Sequence, residues 1–252
     1  MADIKWGYSM NQWNTVSNTI RKEQIERAFK VVSVCGFDGI EIQVGTGRWS
    51  MLGRPELIEK TFGSLDEFKS FLRSCKLEKV VSWFYDPGAF SAEECTFGRN
   101  PINPSEHDGI VEALIPFAKC LQALDALYIV VRPMPSYWQV APVTEDKIKA
   151  AADCWNKVGK MTKEYGIKVL MHIDWLCAIH SEKDIDLILK YTDPETVGLA
   201  IDTAEFTLAG IDPKAVYEKH HDRVQLFHFK DVQVVDSLEE YKTENADMIL
   251  NT

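Results

Sequence analysis

The fold is decided by the stretch Val197-Gly-Leu-Ala-Ile-Asp202-Thr-Ala-Glu205-Phe206, where a short apolar run stops abruptly on polar side chains. The later stretch Val224-Gln-Leu-Phe-His228-Phe-Lys230-Asp231 has the same pattern, and so does the earlier run Ile167-Lys-Val-Leu-Met-His172-Ile-Asp174. Short apolar runs bounded by polar residues are typical of buried strands in a parallel sheet. The three runs therefore predict neighbouring strands whose carboxyl ends share one site.

Strand-like runs and helix-like stretches alternate along the rest of the chain. The predicted strands cover residues 4–8, 39–44, 79–84, 126–131, 167–173, 196–201 and 223–229. Apolar residues at helical spacing lie between them, with capping signals such as Ser64 and stop signals such as Gly36 and Gly166. Seven such repeats in 252 residues favour a single-domain (β/α)8 TIM-type barrel over 1–252, with an open doubly wound sheet as the alternative.

The carboxyl end of the chain fits this barrel least well. A closed barrel needs an eighth strand, and Met248-Ile-Leu-Asn-Thr252 is the sole candidate after Asp231. We therefore expect one of three arrangements: a rudimentary eighth unit, a truncated chain, or a partner that covers this edge of the barrel.

Composition narrows the class of protein and its partners. Hydrophobic residues make up 46% of the chain and charged residues 26%, which is ordinary for a soluble globular protein. The net charge of −10 argues against nucleic acid and against an anionic membrane surface as partners. The six cysteines have no CxxC spacing, and the chain has no signal-like start or long apolar run. These features predict a cytoplasmic enzyme with reduced thiols.

Polar side chains at the ends of the predicted strands form the candidate site. Because side chains alternate along a strand, His172 and Asp174 share one face, as do His228 and Lys230. Imidazoles and carboxylates from neighbouring strands suit Mn²⁺, Co²⁺, Zn²⁺ or Fe²⁺, and Mg²⁺ if carboxylates dominate. The candidate residues are Glu41, His172, Asp174, Asp202, Glu205, His228 and Lys230.

Several of these residues also have a purely structural interpretation. His172 could be a hydrogen-bonded core histidine, and Asp202 could cap the turn after its strand. Lys230 could be a solvated charge paired with Asp231, and Glu205 could face solvent. Their joint occurrence at strand ends favours a site, because independent structural explanations would have to coincide.

Five segments of the chain together carry a family resemblance. They are Phe37-Asp-Gly-Ile-Glu41, Gly166-Ile-Lys-Val-Leu-Met-His172-Ile-Asp174-Trp175, Thr192-Asp-Pro-Glu-Thr-Val-Gly-Leu-Ala-Ile-Asp202-Thr203, Ala209-Gly-Ile-Asp-Pro213 and Val224-Gln-Leu-Phe-His228-Phe-Lys230-Asp231. They resemble the sugar phosphate isomerase/epimerase superfamily, the xylose isomerase-like TIM barrels of AP endonuclease family 2. That superfamily includes tagatose/psicose epimerases, inosose dehydratases and endonuclease IV. The resemblance covers about residues 4–231.

The resemblance implies a metal centre. Asp202 and His228 would be ligands from the sixth and seventh strands. His172 stands where the family usually places a fifth-strand Glu or His, and Asp174 stands where a His is common. Glu41 would reach a substrate hydroxyl or a catalytic water. Mn²⁺ is the expected ion, with Mg²⁺, Co²⁺ or Zn²⁺ as alternatives.

Two departures from the family pattern bear on the function. Glu205 stands where the family often has the His of an Asp-Thr-Gly-His segment. The family's sugar epimerases use one Glu on the fifth strand and one on the eighth, whereas this chain has His172 at the first position and no recognisable eighth-strand Glu. Both departures weaken a two-glutamate epimerase. In the family mechanism a metal-bound enediolate forms as a base removes the proton α to a carbonyl. Glu205, His172 or Glu41 would be that base, and Lys230 would steady the oxyanion.

The expected function is therefore a metal-dependent isomerase or epimerase acting on a keto sugar or polyol. A lyase of the same fold competes closely, either inosose dehydratase-like or a catalytic subunit that cleaves C-glycosides of 3-keto sugars. A non-catalytic metal-binding subunit of a hetero-oligomer is the third possibility.

A small carbohydrate is the expected ligand, and aromatic side chains near the strand ends would stack on it. The predicted stacking residues, for which loop packing is the alternative, are Trp13, Trp49, Trp138 and Trp175. We also expect a homo-oligomer, or a hetero-oligomer with a small subunit.

Overall fold

The computed structural model describes residues 4–10, 21–44, 52–86 and 98–233. In chain order the elements are β1 (Gly7–Ser9), α1 (Lys22–Val34), β2 (Gly39–Val44), α2 (Pro55–Phe62), α3 (Leu65–Ser74), β3 (Lys79–Tyr85), α4 (His107–Ala123), β4 (Tyr128–Val131), α5 (Tyr137–Val140), α6 (Glu145–Lys163), β5 (Lys168–His172), α7 (Glu182–Tyr191), β6 (Val197–Asp202), α8 (Thr203–Leu208), α9 (Pro213–His220) and β7 (Val224–His228). Each of the seven predicted strands overlaps an observed strand.

The chain forms two compact units. The first consists of Met1–Arg99, Val111–Ile129 and Met161–Ile167, and the second of Asn100–Ile110, Val130–Lys160 and Lys168–Thr252. In the first unit β1 pairs with β2 and β2 with β3, all in parallel. In the second unit β5 pairs with β6 and β6 with β7, again in parallel. Parallel neighbours in chain order require crossover connections, which the helices supply. The single-domain organisation stays a prediction.

The first unit has an aromatic core between its helices and strands. Helix α1 buries Ile25, Phe29 and Val32 at helical spacing, as the apolar pattern predicts. The ring of Phe29 lies 6.3 Å from that of Phe68 on α3. Ser64 caps α3 by accepting a hydrogen bond from the backbone N–H three residues later.

Strand β6 lies between β5 and β7, and every one of its residues is buried. A register irregularity between Leu199 and Ala200 sets its alignment with β7, so that Asp202 lies opposite His228. Continuous pairing from Leu199 would instead place Phe227 opposite Asp202. Because a one-residue slip moves side chains to the other face of a sheet, this irregularity puts the imidazole on the side of the carboxylate.

Buried Arg223 fixes the start of β7. Its guanidinium donates to the carbonyl oxygens of Leu189 and Val197 at 2.8 and 3.0 Å and to Thr192 Oγ1 at 2.9 Å. These bonds join the end of α7, the start of β6 and the start of β7. The strand that carries His228 is thereby held beside the strand that carries Asp202.

The apolar pattern of the sequence does not predict the three short helices α2, α5 and α8. They contain eight, four and six residues, which is too few turns for an apolar period to be visible in the sequence. Among the helices that the structure describes, none combines the length and the apolar character needed to cross a membrane.

Candidate metal centre

Three side chains from consecutive strands converge at the carboxyl ends of β5, β6 and β7. His172, Asp202 and His228 each present one donor atom, and these atoms lie within 4.8 Å of one another. His172 Nε2 lies 3.1 Å from Asp202 Oδ2, and His228 Nδ1 lies 3.8 Å from the same oxygen. The two imidazole rings are 4.9 Å apart. His172 and Asp202 are buried, so the cluster offers its donors in a partly dehydrated environment.

This donor set fits a divalent transition-metal ion. Two imidazole nitrogens and a carboxylate oxygen are common ligands of Zn²⁺, Mn²⁺, Co²⁺ and Fe²⁺. Metal–ligand bonds of about 2.0–2.2 Å separate adjacent ligand atoms by roughly 3–3.6 Å, close to the observed 3.1 and 3.8 Å. Three protein ligands also leave a coordination position for water or substrate, which is typical of catalytic metal sites.

The two oxygens of Asp202 have different partners. Oδ1 accepts hydrogen bonds from the backbone N–H groups of Ala204 and Glu205, both at 3.1 Å, and so caps α8. Oδ2 faces the two imidazoles. The capping interpretation of Asp202 therefore accounts for one oxygen, and the other is directed at the candidate metal centre.

Lys230 and Glu205 lie beside this centre. Lys230 Nζ is 2.7 Å from Asp202 Oδ2 and 3.1 Å from Glu205 Oε1. The Glu205 side chain is only 19% exposed, and its Oε2 accepts a hydrogen bond from the Trp175 backbone N–H at 3.2 Å. Glu205 thus faces its neighbours rather than solvent, and the carboxylate partners of Lys230 are Asp202 and Glu205.

The charges of this cluster stabilise one another. Burial raises the pKa of Asp202, but the hydrogen bonds and charges of His172 and Lys230 outweigh burial and hold that pKa well below its usual range. Burial lowers the pKa of Lys230, but the hydrogen bonds and charges of Asp202 and Glu205 outweigh it, and the pKa is raised. Near neutral pH Asp202 is therefore a carboxylate, the form that binds metal.

Asp174 belongs to an ion pair with Arg132. Its Oδ2 lies 2.7 Å from Arg132 Nε, and its Oδ1 accepts from Arg132 Nη2 at 3.1 Å. Arg132 also donates to Ser136 Oγ at 3.0 Å, so the pair ties the loop after β5 to the loop after β4. A ligand role for Asp174 stays a prediction. Arg132 is absent from the predicted site, although it carries the same signal, a polar residue directly after an apolar strand.

Three further predicted site residues are described by the structure but are not part of the His172, Asp202 and His228 cluster. Glu41, in the first unit, is buried, and its Oε2 accepts a hydrogen bond from Ser82 Oγ at 2.8 Å. Trp138 is half-buried in α5, like Trp175 after β5. The catalytic and stacking roles of these three side chains stay predictions.

The remaining predicted features fall on residues 11–20, 45–51 and 234–252. Trp13, Trp49 and the candidate eighth strand at 248–252 lie outside the described residues. Their predicted roles stand on the sequence alone.

The chain also matches a known protein family. A family model described as xylose isomerase-like TIM barrel matches residues 29–244. The chain belongs to the xylose isomerase-like TIM barrel family. The predicted family and barrel fold are thereby confirmed.

Two proteins similar to this chain are inosose dehydratases. The inosose dehydratase of Lacticaseibacillus casei is 30% identical over 99 residues, which are 39% of this chain and 33% of that protein. The inosose dehydratase of Lactiplantibacillus plantarum is 26% identical over 246 residues, covering 92% of this chain and 71% of that protein. The chain thus spans about a third of the length of the first relative.

A solved structure supports the barrel fold independently. The crystal structure of the IOLI protein with a binding zinc atom has a TM-score of 0.67 and 15% identity to the chain. The match covers 92% of this chain and 74% of that one. At this identity the likeness shows a common fold.

Proposed function

We propose that this chain is a divalent-metal-dependent enzyme that removes the proton α to the carbonyl of a keto sugar or keto polyol. The convergence of His172, Asp202 and His228 within 4.8 Å carries this proposal. Family membership and the zinc atom named with the IOLI protein support a bound divalent cation. Mn²⁺ is the proposed ion, and Zn²⁺, Co²⁺ or Mg²⁺ are the alternatives.

The residues around the three ligands suit this chemistry. A bound divalent cation would supply Lewis-acid polarisation of the substrate carbonyl. Glu205 presents a carboxylate next to Asp202, in a position to remove the α-proton as a general base. Lys230, whose ammonium lies 3.1 Å from Glu205 Oε1, is the hydrogen-bond donor for the oxygen on which negative charge develops. Trp175 would offer its ring to the sugar.

Elimination of water is the outcome that we favour. The relatives named above are both inosose dehydratases. A dehydration also needs an acid near the base, because the departing hydroxyl group must take up a proton. Glu205 and Lys230 form such a pair. An isomerase or epimerase shares the first proton removal but returns the proton to carbon, and it is distinguished by its product.

A turnover screen tests this proposal. The purified chain loaded with Mn²⁺ is incubated with inososes, ketoses and 3-keto-C-glycosides, and the products are identified by NMR in ²H₂O. We expect water loss from an inosose-type keto polyol, and loss of that activity in Asp202→Ala and His228→Ala variants that keep the wild-type circular dichroism spectrum. A His220→Ala variant is the matched control.

Two other results would change the assignment. If the product is formed by isomerisation or by C-glycoside cleavage, that reaction would be assigned to the chain in place of dehydration. Absence of turnover in every assay, with and without a candidate small subunit, would favour the non-catalytic metal-binding subunit.

The cytoplasm is the proposed location. The cysteines that the structure describes are free, and Cys75, Cys120, Cys154 and Cys177 are buried thiols while Cys35 is exposed. Free thiols are typical of proteins in a reducing compartment. A homo-oligomer, or a complex with a small subunit, is the proposed assembly, and light scattering of the purified chain measures it directly.

A further inference from the structure

The ammonium group of Lys230 contacts the oxygen of Asp202 that a metal ion would use. Lys230 Nζ lies 2.7 Å from Asp202 Oδ2, the same oxygen that lies 3.1 Å from His172 Nε2 and 3.8 Å from His228 Nδ1. The other oxygen, Oδ1, already accepts two backbone N–H groups of α8. The lysine and the metal ion would therefore depend on one oxygen.

Two cations on this one oxygen would repel each other strongly. With a metal–oxygen bond of about 2.2 Å, the ion would lie at most about 5 Å from the present position of Lys230 Nζ. Asp202 is fully buried, and charges around a buried group are screened less than charges in water. The ammonium that neutralises a buried carboxylate thus opposes the binding of a second positive charge.

The surroundings of Lys230 allow the ammonium to move while the backbone stays in place. The Lys230 backbone N–H donates to Thr203 Oγ1 at 3.0 Å, and Thr203 Oγ1 donates to the Lys230 carbonyl at 2.7 Å. The side chain is 41% exposed, and Glu205 Oε1 provides a second acceptor at 3.1 Å. Rotation about side-chain bonds can therefore separate Nζ from Asp202 without leaving the ammonium unpaired.

We propose that Lys230 and a divalent cation compete for Asp202 Oδ2, so that metal binding breaks the contact of the ammonium with Asp202 and leaves its contact with Glu205. This inference rests on the proposed function, since it requires that His172, Asp202 and His228 bind the metal. Lys230 neutralises the buried carboxylate before the metal binds, and it weakens the metal's affinity. Metal binding then leaves the ammonium beside Glu205, where it can meet the substrate oxygen.

Calorimetric titration of the full chain with MnCl₂ tests the competition. We expect Lys230→Met to bind Mn²⁺ about tenfold more tightly than the wild type, or better, because 1.4 kcal/mol of relieved repulsion corresponds to a factor of ten. Lys219→Met is the matched control, because it removes the same charge from an ion pair with Asp186 at 2.6 Å. Its affinity for Mn²⁺ should equal that of the wild type.

A second variant keeps the test informative if Lys230→Met does not fold. Lys230→Gln retains a hydrogen-bond donor without the charge, and it should also bind Mn²⁺ more tightly. If the wild type binds Mn²⁺ and the Lys230 variants bind it with equal or weaker affinity, the proposed competition is overturned, but the proposed metal site stands. An equal gain in Lys219→Met overturns it too, because net charge would then be the cause. Absence of Mn²⁺ binding in the wild type and in every variant overturns the proposed function itself.

Discussion

The roles of the two side-chain oxygens of Asp202 can be distinguished experimentally with two substitutions. Asp202→Asn keeps an acceptor for the two backbone N–H groups at the start of α8 but removes the negative charge. Asp202→Ala removes both. Comparison of the two variants therefore distinguishes the capping role of Oδ1 from the metal-binding role of Oδ2.

The structure gives the expected size of the difference in stability. Loss of a helix N-cap costs about 1 kcal/mol, whereas Asn is as good a cap as Asp. Both variants also lose the charge that partners Lys230, and this loss is common to them. Removal of one partner of a fully buried ion pair costs about 3–5 kcal/mol. Lys230 is 41% exposed and keeps Glu205, so we expect a smaller common loss.

Urea unfolding in the presence of EDTA measures these differences without a contribution from bound metal. We expect Asp202→Ala to be less stable than Asp202→Asn by about 1 kcal/mol. Calorimetric titration with MnCl₂ should show that both variants have lost the metal site. Equal stability of the two variants would refute the capping argument, and retained Mn²⁺ affinity in Asp202→Asn would refute ligation by Asp202.

Three further predictions concern packing, thiol reactivity and pH. Gly198→Ala would place a Cβ atom 2.8 Å from the Arg223 carbonyl oxygen, and urea unfolding should show a loss of about 1–3 kcal/mol. Burial raises the pKa of Cys177 to about 12, so iodoacetamide should label exposed Cys35 and spare Cys177 until the protein unfolds, as peptide mass spectrometry will show. Burial raises the pKa of Asp186, but the hydrogen bonds and charges of its lysine and histidine partners outweigh it and lower the pKa. A lowered pKa stabilises the fold above the unfolded-state value of about 4 and ceases to do so as pH falls through the folded value. Asp186→Asn should therefore be less stable at neutral pH, by less than about 1 kcal/mol for this partly exposed pair, and should match the wild type in strong acid.

Each of these predictions has a result that contradicts it. Wild-type stability of Gly198→Ala would mean that β6 and β7 are less closely packed than the structure shows. Rapid labelling of Cys177 in the folded protein would mean that its thiol is accessible. A stability difference for Asp186→Asn that is constant from neutral to acid pH would mean that its ionisation contributes nothing.

Much of the fold is predictable from short apolar runs, because the signal for each strand lies within its own residues. The sequence predicts strand β2 with its observed bounds, Gly39–Val44, because a run that is apolar on alternate positions ends at Gly45 and follows Asp38. The register of β6 against β7 could not be predicted in this way. It depends on the irregularity at Leu199 and Ala200, which is a property of two strands together and leaves no mark in either one.

In the candidate site, too, some features are predictable from the sequence and others depend on how the chain folds. His172, Asp202 and His228 are recognisable because three apolar runs of the sequence each reach a side chain that can bind a metal ion, and the runs are strands β5, β6 and β7 of one sheet. The partners of these residues depend on the path of the chain after each strand. Capping of α8 by Asp202 turns Glu205 back towards Lys230, and the six-residue helix responsible is too short to predict from its sequence.

Metal binding by the purified chain tests the central claim most directly. With Mn²⁺ in excess, followed by desalting and metal analysis, the wild type and the His220→Ala control should each retain about one ion per chain, as a mononuclear three-ligand site requires. His228→Ala should retain far less, while its circular dichroism spectrum matches that of the wild type. Absence of bound metal in the wild type, or equal metal content in His228→Ala, would contradict the account.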